Sequence, residues 1–367
     1  MEPIFGTSVY CGIGISMEEI EKHLETAASL GINAVFTSLQ LPEANKEETL
    51  RDFPKMTAIA HRLGMKVEAD IAMRTAVQFG IDLHDLSAIK DLGVDFARLD
   101  GGYTVEQTVE ATHNNLGMQI VLNAASVSEK KMEQYDALGI NKEHSHFCHN
   151  FYPMRYTGLR PNQAQEINAL IHEYGYRVSG FIPSHNHKRL GVSLGLPTVE
   201  RHRTMDTFTA IEECKILGFD DIFFGDDLAS AEEMKMLVDR HPTTITLRMI
   251  PEVEGGAMDW LLGRELRQFQ KDIPEIIRTC SLSSDNNSDS SYHGDCENGI
   301  VAERHRGDVS MCKAALLRYA GEVQIARMDL PADPDIGRIG RIIDEDLPLL
   351  ETFRNMARFR LIRADKK

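Results

Sequence analysis

No apolar run in the 367 residues approaches the roughly 20 that a membrane-spanning helix needs. The opening stretch MEPIFGTSVY has neither the basic nor the apolar segment of a signal peptide, so the expected compartment is the cytoplasm. Positive charge is scarce: 40 Lys+Arg face 56 Asp+Glu, and a net charge of −16 would repel a nucleic-acid backbone. The six cysteines (Cys11, Cys148, Cys214, Cys280, Cys296 and Cys312) form no C-x-x-C and no metal-type spacing, and read as reduced thiols. No G-x-G-x-x-G follows the first strand-like run. Gly12-Ile-Gly14 alone is weak support for a dinucleotide-binding open sheet. At 42% hydrophobic and 26% charged, the composition is that of an ordinary globular protein, long enough for one large domain and a smaller one.

What the chain does have is a repeat. Seven glycines each end a helical pattern and are followed at once by an apolar run: Gly31, Gly64, Gly93, Gly117, Gly139, Gly175 and Gly218. Glycine suits a helix C-terminus because it enters the left-handed region without a Cβ penalty. Capping boxes are expected at Ser16/Glu19, Thr104/Gln107, Ser126/Glu129 and Ser230/Glu233. With the opening strand Ile4–Tyr10 this makes eight strand–helix units, the requirement of a (β/α)₈ TIM barrel, over residues 1–245. After Pro242 the rhythm changes. A strand at Thr244–Ile250, a polar loop at Ser281–Ser291 and alternating segments at Ile300–Arg306 and Glu322–Met328 predict a small β-rich domain over 246–367. Charge is uneven between the two: 22 basic against 35 acidic residues in the first, 18 against 21 in the second.

A TIM barrel keeps its active site at the carboxyl ends of its strands. Glu68 and Asp70 share one face of the third strand, and Arg98 and Asp100 do the same on the fourth. Adjacent strands lie about 4.8 Å apart, so Asp70 and Asp100 can meet and split their pKa values into an acid and a base. The alternative is a structural ion pair with Arg98. A second constellation, Ser184–Thr204, carries Lys188, Arg189, Arg201 and Arg203 against Glu200 alone, a local cationic patch suited to phosphate. The competing reading is a solvated loop. A third, His144-Ser-His146-Phe-Cys148-His149, has the H-x-H spacing of metal ligands, but His149 falls on the opposite strand parity.

Several motifs together resemble one bacterial family: FTSL (Phe36–Leu39), RLD (Arg98–Asp100), CHNFYP (Cys148–Pro153), YTGL (Tyr156–Leu159), GLPTVERHR (Gly195–Arg203), FFGD (Phe223–Asp226) and HRGDV (His305–Val309). The family is that of the 6-phospho-N-acetylmuramidases, once labelled "outer surface" proteins, and the resemblance spans essentially the whole chain. It implies a TIM barrel followed by a cyclophilin-like β-barrel, and hydrolysis of a 6-phosphorylated MurNAc–GlcNAc disaccharide in cell-wall recycling. No cofactor or metal is implied, and the partner is a small phosphorylated sugar rather than nucleic acid or membrane. The chain departs from the expected pattern at Tyr10-Cys11-Gly12 and at Met154.

Glycoside hydrolysis needs two carboxyl groups beside the scissile oxygen. Asp70 and Asp100 are the first candidates, with Glu68 and Asp226 in reserve. Asn123, Asn150 and Tyr152 are expected to hold sugar hydroxyls, with Arg98, His149 and Glu200 completing the binding set and Lys188, Arg189, Arg201 and Arg203 taking the phosphate. Two other classes stay open: a metal-dependent lyase or isomerase using His146, His149 and a carboxylate, and a non-catalytic sugar-phosphate binder.

Overall fold

The computed structural model describes residues 3–72, 86–189, 193–240, 243–269, 273–279, 291–353 and 357–364. Eight parallel strands close into a barrel: β1 (Phe5–Ser8), β2 (Ala34–Ser38), β3 (Lys66–Ile71), β4 (Phe96–Leu99), β5 (Gln119–Asn123), β6 (Ser145–Cys148), β7 (Val178–Ile182) and β8 (Asp221–Asp227). Closure joins β1 to both β2 and β8. Between the strands run α1 (Met17–Ser29), α2 (Lys46–Arg62), α3 (Ser87–Asp91), α4 (Val105–Thr112), α5 (Glu129–Ala137), α6 (Pro161–Glu173) and α7 (Thr207–Leu217), with α8 (Ala231–Val238) after β8.

All seven helix-stopping glycines take positive φ, between 66° and 96°. Three capping boxes close with both arms, at Ser16/Glu19, Thr104/Gln107 and Ser230/Glu233. The fourth does not. Ser126 belongs to a short 3-10 turn, Ala124–Ser126, and its hydroxyl donates to the Asn123 carbonyl (3.0 Å). Helix α5 therefore starts two residues later, capped by Ser128 on the Lys131 amide.

Strand alternation divides the core into two layers. Outward residues such as Val35, Val67, Ile120 and Phe224 pack with helix residues such as Leu24, Phe53 and Met56. Inward, Phe36, Phe96, Val121, Phe181 and Phe223 fill the barrel. Gly6 on β1 makes room for this filling, since a Cβ there would sit 1.9 Å from the Phe223 ring.

The chain divides into two compact units, Met1–Arg240 and His241–Lys367. In the second, seven strands form one sheet: β9 (Ile245–Pro251), β10 (Glu265–Arg267), β11 (Ile276–Arg278), β12 (Asp308–Cys312), β13 (Val323–Ala326), β14 (Ile336–Ile342) and β15 (Arg358–Arg363), in the order β10-β15-β9-β14-β12-β13-β11. Only the β15–β9 pair is parallel among these. The segments expected at 244–250 and 322–328 are strands β9 and β13. The one at 300–306 makes isolated bridges only, Ile300 to Arg338 and Arg304 to Leu330. Most of the polar loop expected at 281–291 lies outside the described residues.

Candidate active site

At the carboxyl ends of the barrel strands lies a cavity of about 770 Å³. Phe36, Phe151 and Phe181 make its apolar wall, edge to face at 4.9–5.9 Å between ring centroids. Asp70, Arg98, Asp100, Gln40, Asn150 and Arg189 supply its polar edge. An apolar wall with a few converging polar groups is how small-molecule sites are built.

The pairing of β3 with β4 sets Asp70 beside Arg98, and alternation keeps Asp100 on the same face. The Arg98 guanidinium closes a short ion pair with Asp70 through Nη1, 3.6 Å from Asp100 Oδ1, and donates through Nη2 to Asn150 Oδ1. Gln40 Nε2 donates to both carboxylates, at 3.2 Å to Asp70 Oδ2 and 3.1 Å to Asp100 Oδ2. Asn123 Nδ2 adds a bond to Asp100 Oδ1 at 2.9 Å. One guanidinium between two carboxylates leaves the trio short of one positive charge. Burial pushes the Asp70 carboxyl above its ordinary pKa; Arg98 opposes this and Asp100 reinforces it. The side chain of Asp70 is 9% exposed and that of Asp100 is 31%, so the two carboxyls occupy different environments.

Gln40 was not foreseen. It lies two residues beyond the end of β2, on the same parity as Ser38, and extending the strand's alternation past its last hydrogen bond would have found it. Tyr152 lines the cavity as expected, and burial raises its phenol pKa.

Other expected residues are placed elsewhere. Glu68 is fully buried within the barrel, and neither of its oxygens has a hydrogen-bond partner; His146 Nε2 lies 3.9 Å from its carboxylate. Asp226 does not line the cavity: its carboxylate accepts the backbone N–H groups of Ser184 (3.2 Å), Arg189 (3.1 Å) and Leu196 (3.1 Å), an anchor for the loop after β7. His149 borders the cavity, but its ring faces the helices, with Nε2 2.7 Å from Asn168 Oδ1 on α6, and burial lowers its pKa to about 4. It therefore cannot join His146 around one metal. Among the described residues no three His, Cys, Asp or Glu side chains come together as a metal site.

The cationic patch divides. Lys188 donates to the Ser184 carbonyl. Arg201 pairs with Glu213 on α7, which also meets His202 (3.1 Å). Arg203 binds Glu200 (2.8 Å) and the carbonyls of Gly195 (2.7 Å) and Tyr152 (2.9 Å). These groups, Glu200 included, brace loops and do not line the cavity. Arg189 does line it. Its guanidinium lies over the rings of Tyr10 (5.2 Å) and Phe151 (5.4 Å), and Nη2 is 3.1 Å from Glu43 Oε1.

The N-terminal family model of the 6-phospho-N-acetylmuramidases matches residues 5–239, and the C-terminal model matches 282–362. The chain belongs to this family. An uncharacterized Bacillus cereus protein of known structure is similar in fold, with 24% identity and a TM-score of 0.80 over 99% of this chain and 100% of that one. A conserved Enterococcus faecalis protein of unknown function is 25% identical, with a TM-score of 0.66 over 98% of this chain and 96% of that one. No curated protein matches the sequence.

Proposed function

We propose that this 6-phospho-N-acetylmuramidase family member hydrolyses the β-1,4 bond of a 6-phosphorylated MurNAc–GlcNAc disaccharide in cell-wall recycling, with Asp70 and Asp100 as the paired carboxyls. The observation that carries the reading is the single Gln40 nitrogen bonded to both (3.2 and 3.1 Å). That shared donor keeps the two Oδ2 atoms no more than about 6.3 Å apart, just under the roughly 6.5–9.5 Å that inverting glycosidases use to admit a water. The spacing supports a retaining reaction. Asp70, raised by burial, gives its proton to the glycosidic oxygen as the C–O bond breaks. Asp100 attacks the anomeric carbon and forms a glycosyl ester. Water, deprotonated by Asp70, then hydrolyses the ester and restores both carboxyls. Asn150 and Tyr152 hold ring hydroxyls. Arg189, the cavity-lining cation that Asp70 and Asp100 do not engage, takes the phosphate in place of the wider patch expected from the sequence.

The reading includes a cytoplasmic reaction and a cyclophilin-like second unit. The described cysteines are all buried free thiols, which suits a reducing compartment. The deciding experiment is incubation with 6-phosphorylated and unphosphorylated MurNAc–GlcNAc, following release of GlcNAc. Release from the phosphorylated sugar alone is expected. Tight binding without release would favour a sugar-phosphate sensor, and neither binding nor release would overturn the reading.

A further inference from the structure

Three non-glycine residues in the loops after β6, β7 and β8 hold left-handed backbone: Tyr156 (φ 66°), Ser193 (51°) and Leu228 (49°). Tyr156 stands apart as the aromatic one of the three, and it is 90% exposed. An L-residue with a bulky side chain is disfavoured in that region, and an exposed ring recovers nothing by burial. Backbone of this kind persists only where its surroundings over-determine it.

Here they do. Glu200 accepts the N–H of Tyr156 through Oε1 (2.8 Å) and that of Gly158 through Oε2 (2.8 Å). Arg203, itself buried, grips the same carboxylate through Nε (2.8 Å) and Nη2 (2.9 Å). A Cβ on Gly158 would lie 2.8 Å from Glu200, so the turn is pressed onto that carboxylate. Arg203, with help from the two amides, holds Glu200 down to about 2, so the clamp stays charged across the neutral range. A buried arginine, a glutamate and a glycine thus serve a turn that exposes Met154 (65%), Arg155, Tyr156 and Thr157, of which Tyr156 alone carries an aromatic ring. The two motifs that bound nothing in the cavity, Tyr156–Leu159 and Gly195–Arg203, are the two halves of this clamp.

The same loop begins with Asn150, Phe151 and Tyr152, which line the cavity. Three residues lie between Tyr152 and Tyr156, a reach of at most about 14 Å over the four chain steps. That tether keeps Tyr156 beside the rim from which a second sugar ring would leave the cavity. We propose that Tyr156 is a stacking platform for the leaving-group sugar, receiving the apolar face of its pyranose ring. It is a specificity residue, and its role rests on the glycosidase reading above.

The test uses the full chain and the variants Tyr156→Ala and Tyr156→Phe. With the phosphorylated disaccharide, Tyr156→Ala should raise KM about 3–10-fold, the worth of one ring stack, with kcat little changed. Tyr156→Phe, which keeps the ring, should match the wild type. Inhibition by 6-phosphorylated MurNAc alone, which lacks the second ring, should be unaffected by either change. An unchanged KM in Tyr156→Ala, or equal weakening of disaccharide and monosaccharide, would overturn the platform. A change in oligomeric state with KM unmoved would also overturn it, and would make the turn a protein-contact surface. If the wild type cleaves nothing, the glycosidase reading fails by itself. The platform is then decided by calorimetry, on whether Tyr156→Ala weakens binding of the disaccharide more than of the monosaccharide.

Discussion

Asp70 and Asp100 share one arginine but not one environment, and their replacements should part company in stability. Asp70→Asn should lower kcat by about 10²–10⁴, the usual loss of a catalytic acid or base, and Asp100→Asn, which removes the nucleophile, by at least as much. Asp100 is partly exposed, so Asp100→Asn should leave the melting temperature nearly unmoved. Above the raised pKa, where Asp70 is the ionised partner of Arg98, Asp70→Asn leaves that buried guanidinium with only the more distant Asp100, a loss toward the lower end of the roughly 3–5 kcal/mol for a broken buried pair. Calorimetry alongside kinetics separates the two effects, and a variant keeping more than about a tenth of wild-type turnover would remove its residue from the mechanism. The pH dependence has a definite sign. Burial raises the pKa of Asp70, so its proton is present at low pH and is lost as pH rises through the raised value. The alkaline limb of kcat/KM should follow that loss. The sequence made this trio legible because strand alternation and neighbouring register are local rules. It could not reveal Arg189 beside Glu43, since 146 residues separate them and only the fold brings them together.

The loop after β7 shows how charge read along a chain misleads. Lys188, Arg189, Arg201 and Arg203 look like a patch because their partners, Glu200 beside Arg203 excepted, are distant or backbone. Glu213 lies a helix away, and the carbonyls that hold Arg203 carry no sequence signature. Arg189→Ala should therefore cut kcat/KM about 10–100-fold for the phosphorylated sugar and hardly touch the unphosphorylated one, the loss of one charge-assisted bond. Arg203→Ala should instead lower the melting temperature and harm both substrates alike. Equal selectivity in the two variants would reject this division. Helix α7 adds a second check. Burial alone would raise Glu213, but hydrogen bonds from Arg201 and His202 hold it down to about 2. A depressed carboxyl stabilises the fold above its ordinary value near 4.5 and loses that contribution as pH falls toward 2. The melting-temperature gap between wild type and Glu213→Gln should be wide at pH 7 and narrow between pH 5 and 3. A gap independent of pH would mean the ion pair is not its source.

Across the whole barrel, the eight-unit rhythm was legible because seven glycines punctuate it, whereas the second unit offered short strands whose pairing order no local signal fixes. Barrel closure rests on a contact invisible to periodicity, Phe223 of β8 lying over Gly6 of β1. Gly6→Ala should cost at least the roughly 1–3 kcal/mol of an overpacked core. Adding Phe223→Leu should return part of that loss in a double-mutant cycle read by denaturant unfolding. Additive losses would show the two sites to be uncoupled.

The same seam has a consequence in time. Ile4 bonds through its N–H to the Asp221 carboxylate, 217 residues later, and β1 finds its second neighbour only in β8. At roughly 5–20 residues per second, a ribosome needs on the order of ten to forty seconds to deliver β8 after β1 has emerged. Throughout that interval the first strand has one side unmated, an open edge of the kind that recruits other chains. The sequence of β1, Phe-Gly-Thr-Ser, is short, carries a glycine and is poor in apolar side chains, which makes it a weak template while it waits.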